Sequence, residues 1–239
     1  MILEIEKIFD YECSNFKNSK IILKETIILT QKIFDFYKEI EKISNIKSLD
    51  LKDEDFKHKL LILNFVSSCQ YNFMIGILSI LKGHINDSYY FNRKAIECCT
   101  FAQRINKSPE NSDYWLNAPD DYTKYKKRFE KLFDLSNPIF SELFNRYNTC
   151  CKLTHPSIYS ITNHFEKNGK EINFKYFQVD NTNIEMLVTV FLWTINTHVY
   201  IIKVFIEIFK NECKENAFHD LWNLFVKELK SGGFKLNGI

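Results

Sequence analysis

Apolar residues recur at intervals of three or four positions along most of the chain, which is the spacing of an amphipathic α-helix. Ile33, Phe36 and Ile40 illustrate the pattern in the first such segment. Seven segments carry this periodicity or a longer apolar run, and we predict a helix over each of them: residues 19–43, 60–81, 87–106, 120–133, 138–154, 184–209 and 217–229. The second of these helices is expected to begin in the charged stretch around residues 50–59, with residues 60–81 as its apolar body. The sequence therefore predicts an all-α fold, a helical bundle of about seven helices.

Few residues interrupt these helices, since the chain contains only 6 Gly and 4 Pro. Lys82-Gly83 is expected to end the helix over residues 60–81, because glycine tolerates the left-handed backbone that follows many helix ends. Asn168-Gly169 lies between two short segments of alternating polarity, residues 165–166 and 172–177. Because Asn-Gly favours tight hairpin turns, we expect one small β-hairpin excursion from the bundle.

The 239 residues are sufficient for one large core, and no linker-like stretch divides them. With 22 Phe and 12 Tyr, that core is expected to be strongly aromatic. We therefore predict a single helical-bundle domain over residues 1–230. Ser231-Gly232-Gly233 is expected to begin a flexible C-terminal tail, residues 231–239.

Two of the predicted helices, residues 60–81 and 184–209, are long enough to span a membrane, which takes about 20 mostly apolar residues. Polar residues such as Asn64 and Gln70 interrupt the first, and His198 and Lys203 interrupt the second. This distribution favours the central pair of a bundle over two membrane spans. The first ten residues also lack the pattern of a secretory signal, so a cytoplasmic protein without a membrane partner is expected.

Seven cysteines include two adjacent pairs, Cys98-Cys99 and Cys150-Cys151, both on predicted helices. Neighbouring helical residues point about 100° apart, so such a pair is poorly placed to form a disulfide or to chelate one metal ion. No cysteine or histidine spacing matches a zinc motif. We therefore expect reduced cysteines, no metal site and no cofactor.

The charges are almost balanced, with 32 Lys and Arg against 30 Asp and Glu. A formal charge of +2 gives no general electrostatic reason to expect nucleic acid as a partner. The predicted helix over residues 120–133 does combine five basic side chains with aromatic ones, which suits RNA contacts. The alternative interpretation is the solvated side of an amphipathic helix.

A candidate site begins on the predicted helix over residues 87–106. A polar stripe lies opposite its small apolar residues; its members are Tyr89, Arg93, Glu97, Thr100 and Arg104. Arg93 and Glu97 are four residues apart and share a face. Either this stripe is solvated, or it faces a pocket or another helix.

A second candidate group lies at the end of the predicted helix over residues 138–154, where Tyr147 and His155 share a face. Pro156 follows His155, and a residue before proline disfavours the α conformation, so His155 should mark the helix end. The helix dipole there favours the imidazolium form, so His155 could donate a proton, bind an anion or simply cap the last carbonyls. If both faces turn inward, Arg93, Glu97, Tyr147 and His155 should converge and line a ligand-binding site.

The helix with Arg93 and Glu97, followed by Tyr147 and His155-Pro156-Ser157, resembles a group of uncharacterised bacterial proteins related to the HEPN-like helical bundles. The resemblance covers roughly residues 60–209. It implies a link to toxin–antitoxin or phage-defence systems. It also implies a metal-independent RNase, with His155 as general acid or base and Arg93 or Arg146 stabilising the phosphorane charge.

Active RNases of that class carry an arginine, four to six residues and then a histidine. Here eight residues separate Arg146 from His155, and Tyr147 takes the polar position after the arginine. The leading hypothesis is therefore a non-catalytic binding or interaction module, with the RNase as the alternative. A homodimer, a partner protein and RNA are the partners considered.

Overall fold

The computed structural model describes residues 2–24, 26–43, 54–117, 123, 133–154, 165–168, 171–174, 184–210 and 222–227. Within these ranges there are eight helical segments: α1 (Ile2–Ile22), α2 (Ile27–Ile43), α3 (Glu54–Lys82), α4 (Ile85–Lys107), α5 (Asn111–Leu116), α6 (Pro138–Thr154), α7 (Ile184–Ile208) and α8 (222–227). The predicted all-α helical bundle is confirmed across the described residues. The predicted helix over residues 120–133 lies almost entirely outside the described ranges. The predicted tail, residues 231–239, lies entirely outside them.

Between α6 and α7, two short strands pair in antiparallel orientation, β1 (Phe165–Asn168) and β2 (Glu171–Phe174). Phe165 lies opposite Phe174, and Asn168 lies opposite Glu171 at the other end of the ladder. The expectation that this hairpin projects away from the bundle stays a prediction.

The first helical region differs from its prediction. One helix was expected over residues 19–43, but α1 begins at Ile2 and a turn after Ile22 separates it from α2. The Thr26 hydroxyl donates to the Leu23 carbonyl at 3.1 Å, and Leu23 itself is buried. Because Leu23 in this turn is packed in the core, the apolar periodicity continues from α1 into α2. The sequence pattern therefore does not reveal the break between the two helices.

The turn between α3 and α4 follows the prediction. Gly83 has φ 88°, which confirms the left-handed glycine after the end of α3. The Gly83 amide donates to the Ile80 carbonyl at 3.0 Å, and the His84 amide donates to the Ser79 carbonyl at 2.8 Å. These bonds satisfy carbonyls that the helix end leaves without partners, and they let α4 return along α3.

Helix α7 lies at the centre of the described bundle, where it contacts α2, α3, α4 and α6. The buried apolar residues of the described chain form one cluster, which extends from Leu23 to Phe225. Two polar residues of α7, Thr194 and His198, have side-chain partners on other helices inside this core. The Asn92 amide of α4 donates to the Thr194 hydroxyl at 3.0 Å, and Tyr37 Oη of α2 lies 2.6 Å from His198 Nδ1.

Two helical stretches, Lys57–Lys82 and Ile184–Ile208, are long and apolar enough to cross a membrane by length and composition alone. The protein itself buries 50% of the most apolar window of the first and 67% of that of the second. The core helix of a soluble bundle meets the same criteria.

The buried His198 imidazole makes stability depend on pH. Burial lowers its pKa to about 3, whereas the unfolded chain protonates a histidine near pH 6.5. The unfolded state therefore binds more protons between these values, and stability falls as the pH falls. Between pH 7 and pH 5 we expect a loss of about 2 kcal/mol that the His198→Asn variant does not show. Urea unfolding at both pH values measures it, and equal losses in the two proteins would contradict the prediction.

Candidate functional site

Arg93, Glu97 and Tyr147 meet at the contact between α4 and α6, and we call them the Arg93 cluster. Arg93 Nε donates to Glu97 Oε1 at 3.0 Å, and Arg93 Nη2 lies 3.5 Å from the Tyr147 hydroxyl. The guanidinium carbon is 5.4 Å from the centre of the Tyr147 ring. The structure thus brings together three of the four residues expected to converge.

The Arg93 cluster is half-buried. The side chains of Arg93 and Glu97 are 23% and 15% exposed, and Lys94 Nζ binds the second Glu97 oxygen at 3.2 Å. Burial raises the pKa of Tyr147, with further contributions from Cys151 and Glu97. Burial lowers the pKa of Arg93, but the neighbouring Tyr147, Cys151 and Glu97 outweigh it and raise that pKa overall. The guanidinium therefore stays charged, and Glu97 compensates it within the protein.

His155, the fourth expected member, lies outside the described residues, as do Pro156 and Ser157. Helix α6 ends at Thr154, one residue earlier. The convergence of His155 with the Arg93 cluster, and any proton transfer through it, stay predictions.

Arg146, the other candidate arginine, is only 8% exposed and faces α7. Its Nε donates to Glu142 Oε1 at 2.8 Å, and its Nη1 donates to the Thr197 hydroxyl at 3.0 Å. The same Nη1 reaches the Trp193 carbonyl at 3.2 Å. The guanidinium carbon also lies 5.3 Å from the Trp193 ring centre and 5.2 Å from that of Tyr200. Arg146 therefore joins α6 to α7 through hydrogen bonds and ring contacts.

The polar stripe of α4 lies against other helices. Tyr89 packs on Trp193 with ring centres 5.1 Å apart, and Thr100 is buried with its hydroxyl donating to the Ile96 carbonyl at 2.8 Å. Arg93, Glu97 and Arg104 are all half-buried. Of the two interpretations of the stripe, the structure contradicts a fully solvated face.

Towards the C-terminal end of α4, the stripe opens into a cleft of about 300 Å³, which we call the α4 cleft. Its lining consists of Thr100, Gln103, Arg104, Lys107, Ser108, Asn111, Phe133, Asp134 and Phe140. Lys107 Nζ binds Asp134 Oδ2 across it at 2.8 Å, and the Asn111 amide donates to the Arg104 carbonyl at 2.9 Å. The side-chain carbonyl oxygen of Gln103 is buried and has no hydrogen-bond partner.

Sequence reasoning identified Thr100 and Arg104 on this stripe but missed Gln103, Lys107 and Asn111. Gln103 and Lys107 are four residues apart and therefore share a helix face, which is a signal that could have been noticed. The contributions of Asn111 and Asp134 depend on how the chain after α4 folds back. No local pattern indicates that return.

Among the described residues, no group of three or more His, Cys, Asp or Glu side chains is placed to hold a metal ion. Six described cysteines are free thiols: Cys13, Cys69, Cys98, Cys99, Cys150 and Cys151.

Comparison of the chain with known protein families, with curated proteins and with solved structures gives no significant match. The resemblance to HEPN-like bundles therefore rests on Arg93, Glu97, Tyr147 and the His155-Pro156-Ser157 segment alone, and it stays a prediction.

Replacing Glu97 by Ala leaves the half-buried Arg93 guanidinium without its carboxylate. Orphaning a fully buried charge costs about 3 kcal/mol or more, and breaking an exposed pair costs less than about 1 kcal/mol. Because Arg93 keeps some contact with water, we expect Glu97→Ala to lower the free energy of unfolding by about 1–2 kcal/mol. Urea denaturation measures this loss.

Lys94→Ala is the matched control, since Lys94 binds the same carboxylate but is 43% exposed. We expect it to change stability by less than about 0.5 kcal/mol. Equal effects of the two substitutions would show that the Arg93 cluster behaves as an ordinary surface ion pair.

Proposed function

We propose that this protein is a non-catalytic binding module and that its ligand binds in the α4 cleft. The observation that carries the proposal is the buried, unpaired side-chain oxygen of Gln103 at this cleft. A buried acceptor without a donor costs about 1–3 kcal/mol. A ligand in the cleft that donates a hydrogen bond to this oxygen, once the Gln103 amide turns towards the cleft, would recover that cost.

The charges and rings around Gln103 indicate the kind of ligand. Arg104 and Lys107 bring two cations to the cleft, and Asp134 brings one carboxylate. Phe133 and Phe140 supply apolar walls. A small molecule with a hydrogen-bond donor, a negative group and a flat apolar part fits this lining, and about 300 Å³ lies at the lower end of small-molecule sites.

The lining offers weak support for proton-transfer chemistry. None of its nine residues is a histidine or a cysteine. Hydrogen bonds from Lys107 and Ser136 lower the pKa of Asp134 to about 2, which makes this carboxylate a poor base near neutral pH. Binding without catalysis is the function that this set of side chains supports best.

The RNase alternative needs an arginine that can reach a scissile phosphate. Arg146 would have to give up its bonds to Glu142, Thr197 and the Trp193 carbonyl, and Arg93 is already neutralised by Glu97. Breaking these bonds is costly, because Arg146 is only 8% exposed and the Glu97 side chain is only 15% exposed. Both arginines are therefore better explained as structural residues.

The proposed setting is cytoplasmic, with α3 and α7 as core helices outside any membrane. This is supported by the polar residues of α7 that find partners within the protein: Thr194 with Asn92, Thr197 with Arg146 and His198 with Tyr37. A homodimer, RNA and a partner protein stay predictions.

Gln103→Leu tests the binding site in the ligand-free protein. If Gln103 is kept for binding, removing its unpaired polar group should raise the free energy of unfolding by about 1 kcal/mol. Gln31→Leu, at an exposed position of α2, is the matched control and should change it by less than about 0.5 kcal/mol. Urea denaturation compares the three proteins. A clear loss of stability in Gln103→Leu would mean that Gln103 stabilises the fold and would remove the main support for the site.

A cleavage assay separates binding from catalysis. Incubating the protein with single-stranded RNA and a chelator should give no cleavage above that of the Arg93→Gln variant, because Arg93 is committed to Glu97. Cleavage by the unmodified protein that disappears in Arg93→Gln would overturn the non-catalytic proposal and favour the metal-independent RNase.

A further inference from the structure

The outward face of α3 carries an exposed stripe without charge. In the sequence, no charged residue lies between Lys59 and Lys82. The exposed side chains of that stretch follow one another at alternating steps of four and three residues, and we call them the α3 stripe: Leu60, Asn64, Ser67, Tyr71, Met74 and Leu78. These steps average 3.5 residues, which is the repeat of a coiled-coil seam, whereas a solvated helix face usually carries charges. The stripe therefore has the pattern of a surface that another helix covers.

The two halves of the α3 stripe differ in shape. In the first half, Asn64 and Ser67 are small, and together with the end of α5 they line an open groove of about 720 Å³. In the second half, Tyr71 is 57% exposed, and Met74 and Leu78 are each 38% exposed. One helix thus presents a groove and, next to it, larger side chains that can fill a groove. Such a surface can complement a second copy of itself about a two-fold axis.

The complementarity requires that the two α3 helices run in opposite directions. A two-fold axis at the level of residue 69 pairs stripe residues that are equally far from it: Leu60 with Leu78, Asn64 with Met74, and Ser67 with Tyr71. Two of these layers combine a small side chain of one copy with a large side chain of the other. A parallel pair would instead place Tyr71 against Tyr71 and Asn64 against Asn64. The antiparallel pair also opposes the two helix dipoles.

The charges at the two ends of the α3 stripe are compatible with this arrangement. Lys57 Nζ is 3.4 Å from Asp113 Oδ1 at one end, and Lys82 Nζ is 3.0 Å from Glu12 Oε2 at the other. An antiparallel pair brings the first ion pair of one copy near the second ion pair of the other. Each end of the seam then holds two cations and two carboxylates, so like charges do not oppose association.

We propose that the α3 stripe is the interface of an antiparallel homodimer, in which Tyr71 and Met74 of each copy fill the groove beside Asn64 and Ser67 of the other. A lipid surface fits the stripe less well, because hydrocarbon offers no hydrogen-bond partner to the Asn64 amide. The stripe shares no residue with the lining of the α4 cleft, so this inference is independent of the proposed ligand site.

The size of the seam sets the expected strength of the dimer. From Leu60 to Leu78 the helix rises about 27 Å, at 1.5 Å per residue. An interface built on one helix from each copy belongs to the small protein interfaces, so we expect a dissociation constant in the micromolar range.

Sedimentation equilibrium of the full chain, from about 1 µM to about 1 mM, should show a transition from monomer to dimer. High salt should leave this transition in place, since the seam itself is uncharged. A monomer at every concentration would overturn the proposal.

Two charge substitutions test both the interface and its direction. Met74→Lys and Asn64→Glu should each weaken the dimer at least about tenfold, because each places a lone charge in the seam. The double variant Asn64→Glu/Met74→Lys should recover dimerisation, since each new charge then faces an opposite charge of the other copy. Within one chain, positions 64 and 74 are about 15 Å apart along the helix, so they cannot pair with each other. The recovered dimer should be sensitive to salt. Failure of the double variant to recover would contradict the antiparallel arrangement.

Met186→Lys is the matched control, because Met186 of α7 is 37% exposed, almost as Met74 is. It should leave the dimer unchanged, and circular dichroism should show the same helical content in all variants. A dimer that resists Met74→Lys would assign the contact to another surface. Flotation of the unmodified protein with phosphatidylcholine vesicles, lost in Met74→Lys, would assign the stripe to lipid. Either result would overturn the proposal.

Discussion

Helix α4 is covered on two sides, by α3 on one side and by α6 and α7 on the other. A helix in this position cannot leave charged side chains on its second side without partners, because burying an unpaired charge is among the most costly events in folding. Its small residues, Ala95 and Ala102, pack in the apolar core. Its polar stripe contacts α6 through Arg93 and Tyr147 and α7 through Tyr89 and Trp193. The need to give each buried polar group a partner therefore determines how α4 is joined to these helices.

Arg93 and Arg146, on neighbouring helices, have their buried charges compensated in the same way. Arg93 on α4 and Arg146 on α6 each bind a glutamate four residues away on their own helix. Each then reaches across to the next helix, to the Tyr147 ring and hydroxyl in one case and to the Thr197 hydroxyl and two aromatic rings in the other. The glutamate compensates the charge, and the flat guanidinium packs against rings. Residues that look like catalytic candidates in the sequence thus connect helices in the structure.

The candidate ligand site lies at the C-terminal end of the polar stripe of α4. In the middle of α4, the Arg93 cluster is closed by its own partners. Gln103, six residues after Glu97, lies in the α4 cleft and keeps an unpaired oxygen there, and Arg104 and Lys107 bring positive charge. Phe133 lies against Tyr147 at 5.4 Å between ring centres and also lines the cleft, so the cluster and the cleft share a wall. The proposed binding module would gain from this arrangement, since a site built on packed helices needs little ordering on binding a ligand.

The sequence by itself determined the all-α class, the end of α3 at Lys82-Gly83 and the separation of α4 into a small apolar face and a polar stripe. These features depend on local propensity and on a period of three to four residues, both of which are written along one segment. It also drew attention to Arg93, Glu97 and Tyr147, because their types and spacing are unusual for a packing face.

Only the tertiary structure decided that α1 and α2 are separate helices, that the polar stripe is covered, and that Arg146 points into the bundle. The same holds for the opening at Gln103. Periodicity indicates which face of a helix is apolar, but not which other helix will cover it. Those pairings join residues 54 and 51 positions apart for Arg93–Tyr147 and Arg146–Thr197, and such contacts follow from how whole helices pack.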